Sequence, residues 1–393
     1  MPPGWDCPTL NKGAKMDLAL SEEQEMLRKM ARDFLADRCP KTLVREMEED
    51  EKGYSPELWR EMAGLGLLGL AFPEKYGGSG GSFLDLAVLL EEMGRALLPG
   101  PFFSAVVLGG LTILDAGSEA QKQEFLPQIS RGETIMALAL TEPSAGYDAA
   151  SVSLRAAADK DDYILDGTKL FVSDAHICHY MICVARTGEG GSPEEGITLF
   201  LVDAKSPGIS YTLLDTIASD RQCEVVFDKV RVPQTNILGG LDQGWSVMKR
   251  VLERAAAGKS MEMVGNSQQV LEMSVNYAKE REQFGQPIGS FQAIQHYFAH
   301  MATDVDGSRF IAYQAAWMLS EGLPCASEVS TAKAWVSEAC RRVDLTGHQI
   351  HGGIGFTKDH DIQLYFRRAK AAELAFGDAR FHREVVANQG LGL

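Results

Sequence analysis

No proline occurs in residues 245–282, nor in residues 291–322, and this feature restricts the fold most. Proline inside a helix removes a backbone hydrogen bond and clashes with the preceding turn. Two uninterrupted stretches of this length therefore predict long helices, which bury their apolar stripes against one another as a bundle. The preceding hundred or so residues have a different period. Tyr163-Ile164-Leu165 and Leu170-Phe171-Val172 flank Asp166-Gly167, a pair suited to a tight hairpin turn. Further apolar or β-branched runs fall at 177–184, 197–202, 209–214 and 225–232, punctuated by Gly, Pro or Asp. They predict a compact, mostly antiparallel β domain of roughly 100 residues, the size of a small sandwich or barrel.

Residues 17–133 return to helical spacing. Ser21 with Gln24, and Ser118 with Gln121, have the form of capping boxes, and Ser55-Pro56 opens a helix with proline at its first position. Four to six helices are expected here. The chain thus reads as an α+β multidomain protein: an N-terminal helical domain (17–133), a central antiparallel β domain (134–240) and a C-terminal helical bundle (241–390). Residues 1–15 read as an extension without structural pattern, with no apolar signal core.

Several function classes drop out. With 38 Lys+Arg against 54 Asp+Glu the net charge is −16, which repels nucleic acid. The 7 cysteines are scattered and odd in number, which suits a reducing cytoplasm rather than a disulfide framework. The uncharged run 96–114 is broken by Pro99, Gly100, Pro101, Gly109 and Gly110, so it reads as buried loop and helix, not as a membrane span. His176, Cys178, His179 and Cys183 resemble metal spacing but sit in an apparent strand, whose alternation separates neighbours; no metal is expected. His296 and His300 lack the glutamate of a zinc helix and are expected on a packed face. The glycine clusters at 77–81 and 352–355 lie between helices, outside any βαβ unit, which argues against a dinucleotide fold.

Other segments point to chemistry. Leu138-Ala139-Leu140-Thr141-Glu142-Pro143 reads as a strand ending in a turn, followed by small residues through Asp148, a place where amides and hydroxyls can grip a flat heterocycle or a thioester. Arg281-Glu282-Gln283-Phe284-Gly285 sets an arginine at a helix end, where it can carry a pyrophosphate. Phe291-Gln292 follows, and Gln349 precedes Gly352-Gly353, where backbone can approach a ligand closely.

In order and spacing these segments, with Tyr76-Gly77-Gly78, Lys169–Ser173 and Phe227–Pro233, resemble the acyl-CoA dehydrogenase family over about residues 17–385. The resemblance implies the same three-part fold with a C-terminal four-helix bundle, assembly as a homo-oligomer or with a related partner subunit, FAD as cofactor, an acyl-CoA substrate and an electron-transfer flavoprotein as acceptor. It implies that Leu138, Leu140, Thr141 and Gly146 meet the flavin. Phe171 replaces a family tryptophan and Ser173 a family threonine. Arg281, Gln283, Phe284 and Gln292 would hold the pyrophosphate and adenosine half, and Gln349, Gly352 and Gly353 would reach the FAD of a neighbouring subunit. Tyr147 stands at a family serine near the CoA chain, with Phe376 and Gly377 also at the substrate.

The likeness fails at the base. One family pattern puts a glutamate where this chain has Phe376; a second puts it where this chain has Ala255. Three readings follow: a base moved to Asp378 or Glu253, a base supplied by a partner chain to a non-catalytic FAD-binding subunit, or chemistry other than desaturation. The plain alternatives are a pairing of Asp378 with Arg380 or a contact with the ribityl chain, and a solvated Glu253 beside Arg250 or Arg254. The small residues Ala255–Gly258 predict room for a bulky, branched or cyclic acyl group.

Overall fold

The computed structural model describes residues 19–188 and 190–391; the expectation for residues 1–15, and Cys7, lie outside them. The N-terminal helices are α1 (Glu22–Arg38), α2 (Lys41–Glu49), α3 (Pro56–Gly64), α4 (Phe83–Ala96), α5 (Leu111–Ala116) and α6 (Glu119–Ser130). Both expected capping boxes form, at Ser21/Gln24 and Ser118/Gln121, and Ser82/Asp85 makes a third. Residues 97–110 form a buried loop and a wide π-type coil leading into α5. No described helix is long and apolar enough to cross a membrane.

The β domain comprises β1 (Met136–Ala139), β2 (Arg155–Asp159), β3 (Asp162–Ser173), β4 (Tyr180–Arg186), β5 (Ile197–Asp203), β6 (Ile209–Leu214), β7 (Gln222–Pro233) and β8 (Ile237–Leu238). The order is β6-β7-β3-β2-β4-β5-β8, with β1 parallel on β4 and most other pairs antiparallel. Asp166-Gly167 is not the expected hairpin turn. β3 runs through it with a register shift against β7, and Gly167, at φ +147°, sits in that bulge. A glycine of positive φ serves either device, and a long curved strand needs the bulge. The hairpin turn is Lys160-Asp161, between the paired Asp159 and Asp162. His176–His179 form a turn before β4 rather than part of a strand. His176 Nε2 meets Lys52 O, and His179 Nδ1 accepts from Ile135 N at 3.0 Å. Alternation along the sheet builds two cores: Leu138, Ile182 and Leu199 face the helices, while Cys183, Phe200 and Val225 fill the β domain.

The C-terminal part holds α7 (Gly244–Glu280), a small hairpin of β9 (Glu282–Gln283) and β10 (Gln286–Pro287), α8 (Gln292–Ser320), α9 (Ala326–His351), α10 (Ile362–Leu374) and α11 (Ala379–Leu391). α7, at 37 residues, is ~55 Å long. It crosses α4 so closely that a Cβ on Gly265 would stand 1.8 Å from Glu91 O, and one on Gly94 2.0 Å from Glu262 O. Any side chain there would push the helices apart and move the face of α7 that looks at the β domain. His296 and His300 are exposed, contrary to the packed face expected, because this half of α8 has no cover within its own chain.

Candidate active site

β1 carries Leu138 to the sheet face that meets the helices, and the chain then turns at Leu140-Thr141. A buried ion pair anchors the turn: Lys169 Nζ lies 2.7 Å from Glu142 Oε1 and also donates to Leu140 O at 3.0 Å. Glu142 further accepts from the backbone amides of Ser153 and Leu154 at 3.0 Å. Burial alone would raise the Glu142 pKa; the Lys169 charge and these hydrogen bonds outweigh it and hold the carboxyl below its ordinary value. On β3, a second irregularity between Lys169 and Val172 contains Phe171 at φ +55°, its ring half-exposed. Leu138, Leu140, Thr141, Gly146, Tyr147, Phe171 and Ser173 line one cavity of about 950 Å³ between the β domain and the bundle.

The opposite wall comes from α7. Trp245, Lys249, Leu252, Glu253 and Ala256 recur at three- and four-residue spacing and so share the face toward the cavity. Ala255 lies off that face, fully buried in the helical core. The expected run of small lining residues therefore shrinks to Ala256, since Gly258 abuts Leu90 and Phe103 instead. Glu253 is half-buried beside Arg250 and Arg254 but pairs with neither. Arg250 and Arg254 both turn to Asp115, and Glu253 has no hydrogen bond or ion pair among the described residues. Burial raises its pKa, against the lowering influence of Arg250, Arg254 and Lys249.

The third wall is the turn after α10. Phe376 adopts φ +57° and its ring stacks on Phe103 at 5.5 Å; Gly377 follows at φ +102°. Two buried side chains fix this conformation. Lys333 Nζ donates to Glu373 O at 3.0 Å and Gly377 O at 2.9 Å, and His382 Nε2 meets Phe376 O at 3.0 Å. With Nε2 as donor, His382 Nδ1 accepts from the Ser330 hydroxyl at 3.1 Å. Burial pushes Lys333 down to about 7 and His382 down to about 4. The Phe376 N–H has no acceptor among the described residues. Asp378 does not pair with Arg380, which meets Glu384; its carboxylate caps α11, accepting from Phe381 N at 2.8 Å, and it is absent from the cavity wall. The Tyr147 hydroxyl donates to Leu374 O at 3.1 Å and ties the β domain to this turn.

Arg281, Gln283, Phe284, Gln292, Gln349, Gly352 and Gly353 are not brought to this cavity. All are exposed at the other end of the bundle, where Tyr277 stacks on His351 at 4.5 Å. Along α7, Arg281 lies ~40 Å from Glu253. The residues that sequence reasoning missed are the anchors Lys333 and His382. Lys333 carried a signal, a lone cation inside the apolar stripe Val329, Ala332, Val336 and Cys340. His382 carried none. Cys39, Cys178, Cys183, Cys223, Cys325 and Cys340 are free thiols, and no cluster of three His, Cys, Asp or Glu among the described residues is placed to hold a metal.

A cavity between a β domain and a helical bundle, walled by hydroxyls, aromatic rings and the half-buried, unpaired Glu253 carboxylate, has the make-up of a site for a flat cofactor and an acyl substrate. The acyl-CoA dehydrogenase N-terminal, middle and C-terminal domains match residues 21–133, 137–230 and 242–391. A probable acyl-CoA dehydrogenase of Bacillus subtilis (strain 168) is 34% identical over 381 residues, covering 95% of this chain and 99% of the relative. Butyryl-CoA dehydrogenase from Megasphaera elsdenii superposes with a TM-score of 0.89 at 31% identity, over 96% of this chain and 100% of that one. A chain of the ChsE4-ChsE5 complex from Mycobacterium tuberculosis gives 0.88 at 28% identity, over 96% and 100%. The chain belongs to the acyl-CoA dehydrogenase family and is an oxidoreductase, and the cofactor of that family is FAD. The residues fit a flavin: the Thr141 and Ser173 hydroxyls have no protein partner among the described residues, and the half-exposed Phe171 ring borders the same space.

Proposed function

We propose that this protein desaturates an acyl-CoA thioester between its α and β carbons, with Glu253 as the base. One observation carries the proposal: an unpartnered, desolvated carboxylate faces the cavity that Leu140, Thr141, Phe171 and Ser173 line. The raised pKa of Glu253 suits proton abstraction near neutral pH better than an ordinary carboxylate does. In this reading Glu253 removes the α-proton, and the free Phe376 N–H receives the negative charge that develops on the thioester oxygen. Lys333 and His382 hold that N–H in place through the carbonyls on either side of it. When bound, FAD supplies the acceptor for the hydrogen leaving the β-carbon.

Leu138, Leu140, Thr141, Gly146, Phe171 and Ser173 would hold the flavin ring, with Tyr147 and Gly377 near the thioester. Arg281, Gln283, Phe284, Gln292, Gln349, Gly352 and Gly353 would serve the adenosine half of the FAD of another subunit, since one chain separates the two sets by ~40 Å. An electron-transfer flavoprotein would take the electrons onward.

A second reading has its own support. Phe376 fills the place of the more common base and stacks on Phe103, and a similar chain comes from a two-protein complex; here a partner chain would provide the carboxylate. Anaerobic titration of the FAD-loaded protein with a panel of acyl-CoAs separates the two. Bleaching by this chain alone that disappears in E253Q supports Glu253. Bleaching that needs a co-purified partner and survives E253Q supports the partner.

A further inference from the structure

A second cavity of about 190 Å³ adjoins the first, and Ser173, Ala375 and Phe376 belong to the walls of both. Its floor is the 97–104 loop, and its sides are α7 beyond Ala256, α10 and the β-domain edge at 218–222. An acyl chain with its thioester at Phe376 would point its far end here. For such a place the lining is unusually charged: Lys259, Arg221 and Arg368 against Asp174, Asp220 and Glu262.

Five of these six groups are already engaged. Lys259 pairs with Glu262 and lies 3.9 Å over the Phe103 ring. Arg221 donates to the carbonyls of Glu48 at 2.9 Å and Ser219 at 3.2 Å. Asp220 accepts from the Thr216 hydroxyl and the Gln222 amide, both at 2.6 Å. Asp174 accepts from the Ser104 hydroxyl, and burial pushes it up to about 6. Arg368 has nothing. It makes no hydrogen bond and no ion pair among the described residues, and its Nε is shut away from solvent without an acceptor. Its neighbours on α10 differ: Arg367 grips Glu48 at 2.7 and 2.8 Å, and Lys370 meets Glu373 at 3.0 Å.

A half-buried guanidinium without a partner is a cost to the fold unless a ligand removes it. Its planar fork matches a carboxylate with two parallel hydrogen bonds, which no neutral tail supplies. We propose that Arg368 binds a carboxylate at the far end of the acyl chain, so that the preferred substrates are CoA thioesters of dicarboxylic or similarly anion-tipped acids. This inference rests on the acyl-CoA reading above and names the substrate class for that same site.

The test compares matched probes on the FAD-loaded protein: succinyl-CoA with butyryl-CoA, glutaryl-CoA with pentanoyl-CoA, and adipyl-CoA with hexanoyl-CoA. Affinity is read by equilibrium dialysis, so no turnover is needed and the identity of the base does not enter. The expected result is at least one pair in which the carboxylate-tipped thioester binds about tenfold tighter or more, and a loss of that difference in R368Q. In R368K, which keeps the charge but not the fork, the difference shrinks without vanishing. Equal affinity within every wild-type pair overturns the inference while leaving the acyl-CoA reading intact. A preference that persists in R368Q also overturns it. Failure of all six thioesters to bind overturns both.

Discussion

The two ends of α7 differ in what they leave unfinished. At its N-terminal end, Glu253 faces a walled cavity in which sheet, helix and turn are pinned by one buried ion pair, Lys169–Glu142, and by carbonyl clamps. At its C-terminal end, Arg281 and Gln283 stand in solvent, and Phe284 is 93% exposed. Phe356 at 76% exposure and Trp335 at 47% extend that bare surface over α9 and the turn after it. The contrast separates chemistry from assembly. In the proposed reading, one chain carries the walls for an acyl group and a ring, while the grip on the rest of the cofactor would be presented outward to another chain.

That contrast can be broken at either end. The largest effect is expected at Glu253: E253Q should slow anaerobic flavin reduction by an acyl-CoA by roughly 10²–10⁴-fold, the usual worth of a positioned base, with FAD content unchanged. The acid limb of the wild-type rate profile should lie above the ordinary glutamate pKa of 4.5, because burial raises Glu253. At the other end, R281A should weaken FAD retention by roughly 10–100-fold, the scale of a lost charged hydrogen bond, measured as flavin released on gel filtration. A variant that changes both properties together would erase the distinction between the ends.

Smaller effects sharpen the account of the turn at Phe376. K333M leaves the carbonyls of Glu373 and Gly377 without their donor and should cost roughly 1.5–3 kcal/mol in denaturant unfolding. D378A removes the cap of α11 and should cost about 1 kcal/mol, while D378N, still a capping residue, should leave flavin bleaching intact. His382 sets a pH dependence. Its folded pKa of about 4 lies below the unfolded 6.5, so its contribution is whole above pH 6.5 and is lost as the pH falls toward 4. Asp174, raised to about 6, acts in the opposite sense over much of that range. H382Q should therefore leave the Asp174 component uncompensated, visible as a Tm that rises as the pH falls from 6 toward 4, where the two opposing components keep the wild-type Tm flatter.

The order of helical, strand and helical parts was legible because period alone separates them, and Ser21/Gln24 and Ser118/Gln121 marked their helix starts correctly. Asp166-Gly167 misled because positive φ serves turns and bulges alike, and only the pairing of β3 with β7 decides. Counting back from Arg281 pointed to Ala255, but the face that α7 turns to the cavity depends on how tightly Gly94 and Gly265 let it cross α4, which no spacing reveals. Asp378 looked available until its carboxylate was found capping α11. His296 and His300 read as packed because one sequence cannot say which faces wait for a second chain.

Isotope exchange tests abstraction of the α-proton by Glu253 apart from electron transfer. The FAD-loaded protein is incubated anaerobically with an acyl-CoA in deuterated buffer, and deuterium at the α-carbon is followed by mass spectrometry. With Glu253 as the base, incorporation is steady in the wild-type protein and in D378N and falls at least 100-fold in E253Q, the lower bound for a general base. Undiminished exchange in E253Q, with FAD still bound, would contradict it.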